Sequence, residues 1–595
     1  MAHRFERGAL RAARHAAGRG VRALSGAALV LTLAAATAGA QAPGGATADL
    51  ARSGLPDAAS WWGEPGRAGW APDLWLGAAA PWTLGGFARG AWSAAEPGRA
   101  PQQLPFPGIG AARAPLGWAD TLAVGPGGPG AWLGYGAALA AARAEGALVN
   151  RRARASLVFG SGSQGFDDNA LSVTRGDSVS YLRAETASGT RGAAGALEDA
   201  GRHLWGVGAR LTRGRHRLDG SFAQRGEAGK LHDGREQAAA GESGELAWRY
   251  GTPTGFAGLA LARGFSRHES FGGALALARR EAQEVVGKAE WERALAGRVL
   301  GARLEWRRGE VKRFGESEDT RHATAVWGAA RLEAPLAGGR VELTLGGGRH
   351  DAVKRTDVAP GVAWSFAGSA VRGRLALERL LEPVWADLPA GQAPYLQHTW
   401  ALTARGALAG SGPFRAEAAL FTGHARGRAL AARLPLEALW LRAGFRPDTA
   451  AYDFALASAG LAWRGTHAGA GLEGFALART AQRTLQPRVD PPAGGRAFVE
   501  GSFALFEGDL GVTLRAEADA IGPREAETAP VRRLDGYPTF GGAVVLTLAD
   551  ATITVRARNL EDRQREQTWV DAATGRPALG PGRELRMTLT WRLFN

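Results

Sequence analysis

Residue types able to carry chemistry are present, but their spacing does not organise them. Gly160-Ser161-Gly162-Ser163-Gln164-Gly165 matches the letters of a dinucleotide fingerprint, G-x-G-x-x-G. That motif works only where a strand turns into a helix whose N-terminus meets the pyrophosphate. A further strand pattern begins near Asn169 instead, so these glycines read as a loop. Ser266 and His268 lie close together near several acids, but no nucleophile elbow surrounds them, and this stretch also reads as a loop. The histidines His203, His216, His232, His268, His322, His350, His398, His424 and His467 never pair at helical or strand metal spacing. His232 and His350 fall in stretches read as external loops, where contact with a metal chelate and plain solvation are both open. The chain has no cysteine, which removes disulfides and thiolate metal sites. No catalytic residue, cofactor site or metal site is expected, and the substrate-binding residues are unknown from sequence.

What the sequence does organise is strands. From 585 to 593, Leu585, Met587, Leu589, Trp591 and Leu593 alternate with Arg586, Thr588, Thr590 and Arg592, which gives one apolar and one polar face. Ile553, Val555 and Ala557 do the same against Thr552, Thr554, Arg556 and Arg558. So do Val285, Ala289 and Trp291 against Lys288, Glu290 and Glu292; Leu300, Ala302, Leu304 and Trp306 against Arg303, Glu305 and Arg307; and Val512, Leu514, Ala516 and Ala518 against Thr513, Arg515, Glu517 and Asp519. Arg372, Arg374, Arg515, Arg556, Arg586 and Arg592 are expected to face an interior. There they either attract anionic solutes or pair with acids such as Glu378 and Glu517.

Connections set the architecture. Tight turns are expected at Gly176-Asp177, Gly214, Thr252-Pro253, Gly297, Gly338-Gly339, Gly368-Ser369, Ser411-Gly412, Gly465-Thr466, Gly508-Asp509 and Ala549-Asp550. Longer polar stretches alternate with them, at 226–242, 266–281, 381–397, 480–494, 522–536 and 561–582. About ten tight turns and about eleven longer connections join roughly 22 strands of about 9–13 residues, within the range of transmembrane barrels. Trp205, Trp248, Trp327, Trp364, Trp463 and Trp591 suit an interfacial girdle or ordinary packing. The fold class is all-β: a large antiparallel transmembrane β-barrel over 151–595, preceded by a short plug-like segment at 41–150.

Residues 1–40 read as a secretory signal peptide. Arg4, Arg7, Arg11, Arg14, Arg19 and Arg22 precede a short apolar run at 27–36, and Ala38-Gly39-Ala40 forms a small-residue cleavage site. The formal charge of +15 does not indicate nucleic acid as a partner, because the basic residues are spread along strands rather than clustered.

Four stretches resemble the TonB-dependent receptor family. Val555-Arg556-Ala557-Arg558-Asn559-Leu560-Glu561-Asp562-Arg563 is similar to its last-but-one strand, and Pro581-Gly582-Arg583-Glu584-Leu585 through Trp591-Arg592-Leu593-Phe594 to its closing strand. Leu434-Pro435-Leu436 through Trp440, with Arg446-Pro447-Asp448, is similar to a long loop. Val124-Gly125-Pro126 with Trp132-Leu133-Gly134-Tyr135-Gly136-Ala137 resembles the end of the plug. The resemblance departs from the family in three places: no TonB-contacting box is evident in 41–60, Phe594 is out of phase with 585–593, and Asn595 follows it.

The resemblance implies an outer-membrane receptor and transporter. It would bind a small-molecule substrate through external loops and admit it through the barrel, with outer-membrane lipid, a TonB-type periplasmic energy-coupling protein and barrel-assembly machinery as partners. A passive porin-like channel and a non-transporting surface-binding barrel are the other readings; an enzyme comes last.

Overall fold

The computed structural model describes residues 150–595 apart from 164–166, 177–179, 195–196, 232–235, 272–276, 315–317, 337, 368–370, 385–392, 409–413, 427–451, 480–492, 527–531, 565, 571–576, 580–581 and 594–595. The signal peptide, the plug-like segment and the loop at 434–448 therefore lie outside the described residues.

Alternating side chains need a sheet with two different surroundings, and the backbone needs every ladder edge paired. Both requirements are met by closure. Twenty-two strands form one sheet, in which each strand pairs antiparallel with its neighbour in the chain, the later hairpins included. The first strand, Asn150–Gly162, pairs with Asp167–Gly176 on one side and with the last strand, Glu584–Leu593, on the other. No edge remains, so this is a barrel. Two short hairpins stand outside it: Arg524–Ala526 with Arg532–Leu534, and Glu566–Val570 with Pro577–Leu579. Arg532 and Glu566 join them through a 2.8 Å ion pair.

Seven of the ten expected tight turns fall between consecutive barrel strands; those at Gly176-Asp177, Gly368-Ser369 and Ser411-Gly412 reach outside the described residues. Gly297 shows why the residue type matters there: its φ of +75° is in the left-handed region that glycine enters without Cβ strain. At the Thr252 turn the hydroxyl donates to the carbonyl oxygen of Gly255 at 3.0 Å.

Strand length departs from expectation. Leu277–Leu295 has 19 residues and Asp319–Leu336 has 18. Much of 226–242 and 266–281, read from sequence as loops, belongs to His216–Leu231, Glu236–Thr252, Gly255–Phe271 and Leu277–Leu295. The hydrophobic alternation fades there while pairing continues, because an established register keeps satisfying backbone groups whatever the side chains are. Ion pairs take over from apolar contacts: Glu281 meets Arg279 at 3.5 Å and Arg267 at 3.9 Å, and Glu310 meets Lys312 at 2.8 Å.

The two faces are chemically opposite. Leu300, Leu304 and Trp306 are exposed on one parity of the strand Arg298–Phe314, while Glu305 and Val311 on the other are 4% and 1% exposed. The same exposed apolar set recurs as Leu259 and Leu261, Leu343 and Leu345, Leu375 and Leu377, and Leu585, Met587 and Trp591. A surface so apolar is a lipid-facing one. On Arg298–Phe314 the outward apolar run is bounded by exposed Arg298 and Arg308. Ten residues at about 3.4 Å each, tilted by about 40°, rise roughly 26 Å, the height of a barrel's apolar band.

Of the expected girdle, Trp205, Trp248, Trp364, Trp463 and Trp591 share the parity of the exposed apolar residues. Trp327 does not. It is 4% exposed and clusters with Ala325 and Ala359 on the inward face. Register decides this: Trp327 lies opposite Glu305 and Gly348, and its ring occupies the space that a Cβ on Gly348 would need. Trp291, Trp306 and Trp400, at 44%, 39% and 45% exposure, join the outward set.

Candidate functional site

The inward face of the wall is where a solute would pass, and its charges are organised across strands. Arg515 and Glu517 lie on one face of Leu510–Ile521; the adjacent strand Ala493–Leu505 supplies Glu500, and Arg556 reaches across Tyr537–Leu548 from Ala551–Arg558, two strands away. Arg515 Nε is 2.9 Å from Glu517 Oε1, Arg556 Nη2 contacts Glu517 Oε2, and Arg515 Nη1 is 3.8 Å from Glu500 Oε2. The Arg515 guanidinium also lies 3.9 Å over the Phe498 ring, a cation–π contact. Glu517 is 8% exposed, and the two guanidiniums offset the cost of burying a carboxyl group there. For Arg515 and Arg556 the choice left open by the sequence resolves toward pairing with acids. The side chains of Arg372, Arg374, Arg586 and Arg592 lie outside what is described.

A second inward network sits toward the tight-turn end. Arg331 Nη2 contacts Glu333 at 2.9 Å and Glu292 at 3.6 Å, and Arg340 reaches the other oxygen of Glu333. Sequence reasoning placed Glu292 on a polar face but missed the network, because its members come from three strands and only register brings them together. For the same reason it missed Phe498 and Glu500.

The stretches that resembled catalytic motifs have structural roles. Gly160, Ser161 and Gly162 belong to the first strand, and no helix follows. Ser163 fastens the barrel seam: its backbone N–H donates to the Leu585 carbonyl at 2.8 Å, and the Leu585 N–H donates to its hydroxyl oxygen at 2.8 Å. Ser266 and His268 belong to the strand Gly255–Phe271 rather than to a loop, since pairing continues past the apolar band. His350 is the last residue of Gly339–His350 and is 4% exposed, so it is not a solvated loop residue. His232 lies outside the described residues.

Asn559-Leu560-Glu561-Asp562-Arg563 forms a closed turn at the far end of its strand. Asn559, with φ +49° and 4% exposure, accepts from the Arg563 N–H at 3.3 Å, and its own amide donates to the Arg563 carbonyl at 2.9 Å. The Arg563 end is thereby turned back, and Asp562 accepts from the Arg583 N–H at 2.7 Å.

A closed barrel with an outward apolar band, an inward charged wall and no free edge is a transmembrane β-barrel of the outer-membrane type. No protein-family model matches the sequence, and no curated protein matches it. Solved structures do. The ferric yersiniabactin uptake receptor FyuA from Yersinia pestis superimposes with a TM-score of 0.61 at 13% identity, over 75% of this chain and 81% of that one. The copper transporter OprC gives 0.60 at 12%, over 75% and 81%, and the FrpB iron transporter from Neisseria meningitidis (F3-3 variant) gives 0.59 at 9%, over 75% and 82%. The resemblance to TonB-dependent receptors read from the closing strands thus holds at the level of the fold.

Proposed function

We propose that the chain is an outer-membrane receptor and transporter of the TonB-dependent type that takes up a small metal-bearing solute. The observation that carries this is the closed barrel of 22 strands, whose fold resembles that of neighbours described as an iron transporter, a copper transporter and a ferric yersiniabactin uptake receptor. The paired charges on the inward wall suit a passage lined by fixed, mutually neutralised groups rather than a strongly anion- or cation-selective pore. Residues 41–150 act as a plug in this reading, and a periplasmic energy-coupling protein displaces it. External connections form the binding site. No covalent step is involved.

The test is single-channel conductance of the refolded full chain in a planar bilayer beside a variant lacking 41–150, paired with uptake of ferric chelates by cells with and without their energy-coupling protein. A closed full chain, an open deletion variant and coupling-dependent uptake are expected. Equal conductance of both proteins overturns the plug and favours a passive channel, and uptake without the coupling protein overturns energised transport.

A further inference from the structure

One sector of the inward wall is apolar and buried. Val311, Ala325, Trp327, Ala359, Ala363 and Ala376 are 1–5% exposed and come from four of the five adjacent strands between Arg298–Phe314 and Val371–Val384. The fifth, Gly339–His350, adds Gly346 and Gly348 to the same face. Twenty-two strands about 4.8 Å apart and tilted by about 40° close a ring roughly 44 Å across, so such short side chains do not bury one another across the lumen. The Trp327 ring stands over Gly348 in a cluster with Ala325 and Ala359, residues too small to cover its lumenal side. Its indole N–H is buried and meets no acceptor among the described residues, where a buried indole normally has one.

What covers this sector has to be apolar, rich in acceptors and able to reach the tight-turn rim, because Ala363 and Ala376 lie four and five residues from the tight-turn ends of their strands. Residues 61–149 meet all three conditions. They join the barrel at Asn150, opposite Gly176 at that rim. They hold five arginines and five acids in 89 residues, against a charged fraction of 22% for the chain, and they include Trp61, Trp62, Trp70, Trp75, Trp82 and Trp92. Their ten prolines each bring a carbonyl without an N–H, which leaves a surplus of acceptors. The outer connection at 427–451 instead leaves the barrel after Arg426 and returns before Tyr452 on the opposite rim, and would have to descend the wall to reach Ala363.

We propose that residues 61–149 seat on this one sector, with one of their carbonyl oxygens accepting from Trp327 Nε1–H, and leave the facing wall of Arg515, Glu517 and Arg556 to the solute. Tyr537–Leu548, in the middle of that wall, is nine strands from Gly339–His350 around the ring of 22. The proposal rests on the reading of 41–150 as a plug and narrows it: a segment held on one side does not fill the lumen.

The test uses the full chain, whose lack of cysteine lets a single benzophenone be attached through Ala359→Cys or Ala376→Cys in the sector. Thr539→Cys and Ala543→Cys place it at similar heights on the facing wall. Each protein is labelled unfolded, refolded into lipid vesicles and irradiated, and the cross-linked peptides are read by mass spectrometry. Cross-links into 61–149 are expected at several-fold higher yield from Ala359 and Ala376 than from Thr539 and Ala543. Trp327→Phe keeps a ring and removes the donor, and should cut the yield at Ala359 several-fold. Equal yields from both walls, cross-links into 427–451 instead, or a yield that Trp327→Phe leaves unchanged overturn the proposal. Conductance of the same proteins reads the plug separately: an open chain with the one-sided cross-links keeps the seat and loses occlusion, and a closed chain without them keeps occlusion and loses the seat. Should the label at one sector position block refolding, the other position decides.

Discussion

Asp562 and Gly582 occupy one space. A Cβ added to Gly582 would lie 2.5 Å from Asp562 Oδ1, and that oxygen is held in place by the Arg583 N–H at 2.7 Å. The pair ties the end of the Asn559 turn to the approach of the closing strand, so the two stretches that carried the resemblance in sequence meet in space. Gly582→Ala is expected to destabilise the refolded barrel by about 1 kcal/mol, the cost of modest overpacking. In an Asp562→Ala background the same change should cost clearly less. Urea unfolding in lipid vesicles, run as a double-mutant cycle, reads the coupling, and strict additivity would count against the contact.

Glu517 is shared by two guanidiniums on the inward wall. Glu517→Ala withdraws the carboxylate and leaves both cations short of a partner at a position where Glu517 is 8% exposed. The expected loss is roughly 3 kcal/mol. Glu517→Gln, which keeps one acceptor oxygen, should lose less. The same unfolding measurement ranks the three proteins, and a Glu517→Ala barrel as stable as wild type would mean the network adds nothing.

Glu310 and Lys312 lie beyond Trp306 and Arg308, outside the apolar band, so their ion pair responds to bulk pH. The hydrogen bond from Lys312, helped by its charge, holds the Glu310 carboxyl below its ordinary value of 4.5 against the opposing effect of burial. A depressed carboxylate contributes stability that is fully present above its unfolded value and is lost as pH falls through the folded one. Lys312 is raised by the same hydrogen bond, so its contribution is lost at the alkaline end instead. Amide protection relative to intrinsic exchange across Arg298–Phe314 and Asp319–Leu336 should therefore be constant around neutrality and fall at the outer strand ends on acidification below the carboxylate range. Glu310→Gln should abolish that acid step; an unchanged step would assign it elsewhere.

The absence of cysteine makes the chain a clean host for site-directed labels. Leu375 and Leu377 are 45% and 44% exposed, and Ala376 between them is 4% exposed. Spin labels at Leu375 and Leu377 in bilayers should collide with dissolved oxygen, which partitions into lipid, and one at Ala376 should not. Labels at Leu375 and Leu377 that respond only to a water-soluble relaxant would reverse the assignment of faces.

The strands that cross the apolar band are legible in the sequence, because lipid on one side and an aqueous interior on the other impose a period of two on Leu585, Met587, Leu589 and Trp591. So are the tight turns that fall among the described residues, since residues such as Gly297 adopt backbone angles that few others tolerate. The turn at Asn559 was readable because its own side chain closes it. Beyond the band no face has to be apolar, the period fades, and only the continuing backbone ladder shows that 266–271 and 277–281 are wall rather than loop. Register, which no local pattern encodes, decided the rest. It turned Trp327 inward against Gly348 and gathered Phe498, Glu500, Arg515, Glu517 and Arg556 from three strands, because closing the sheet lets each strand slide only until every backbone group has its partner.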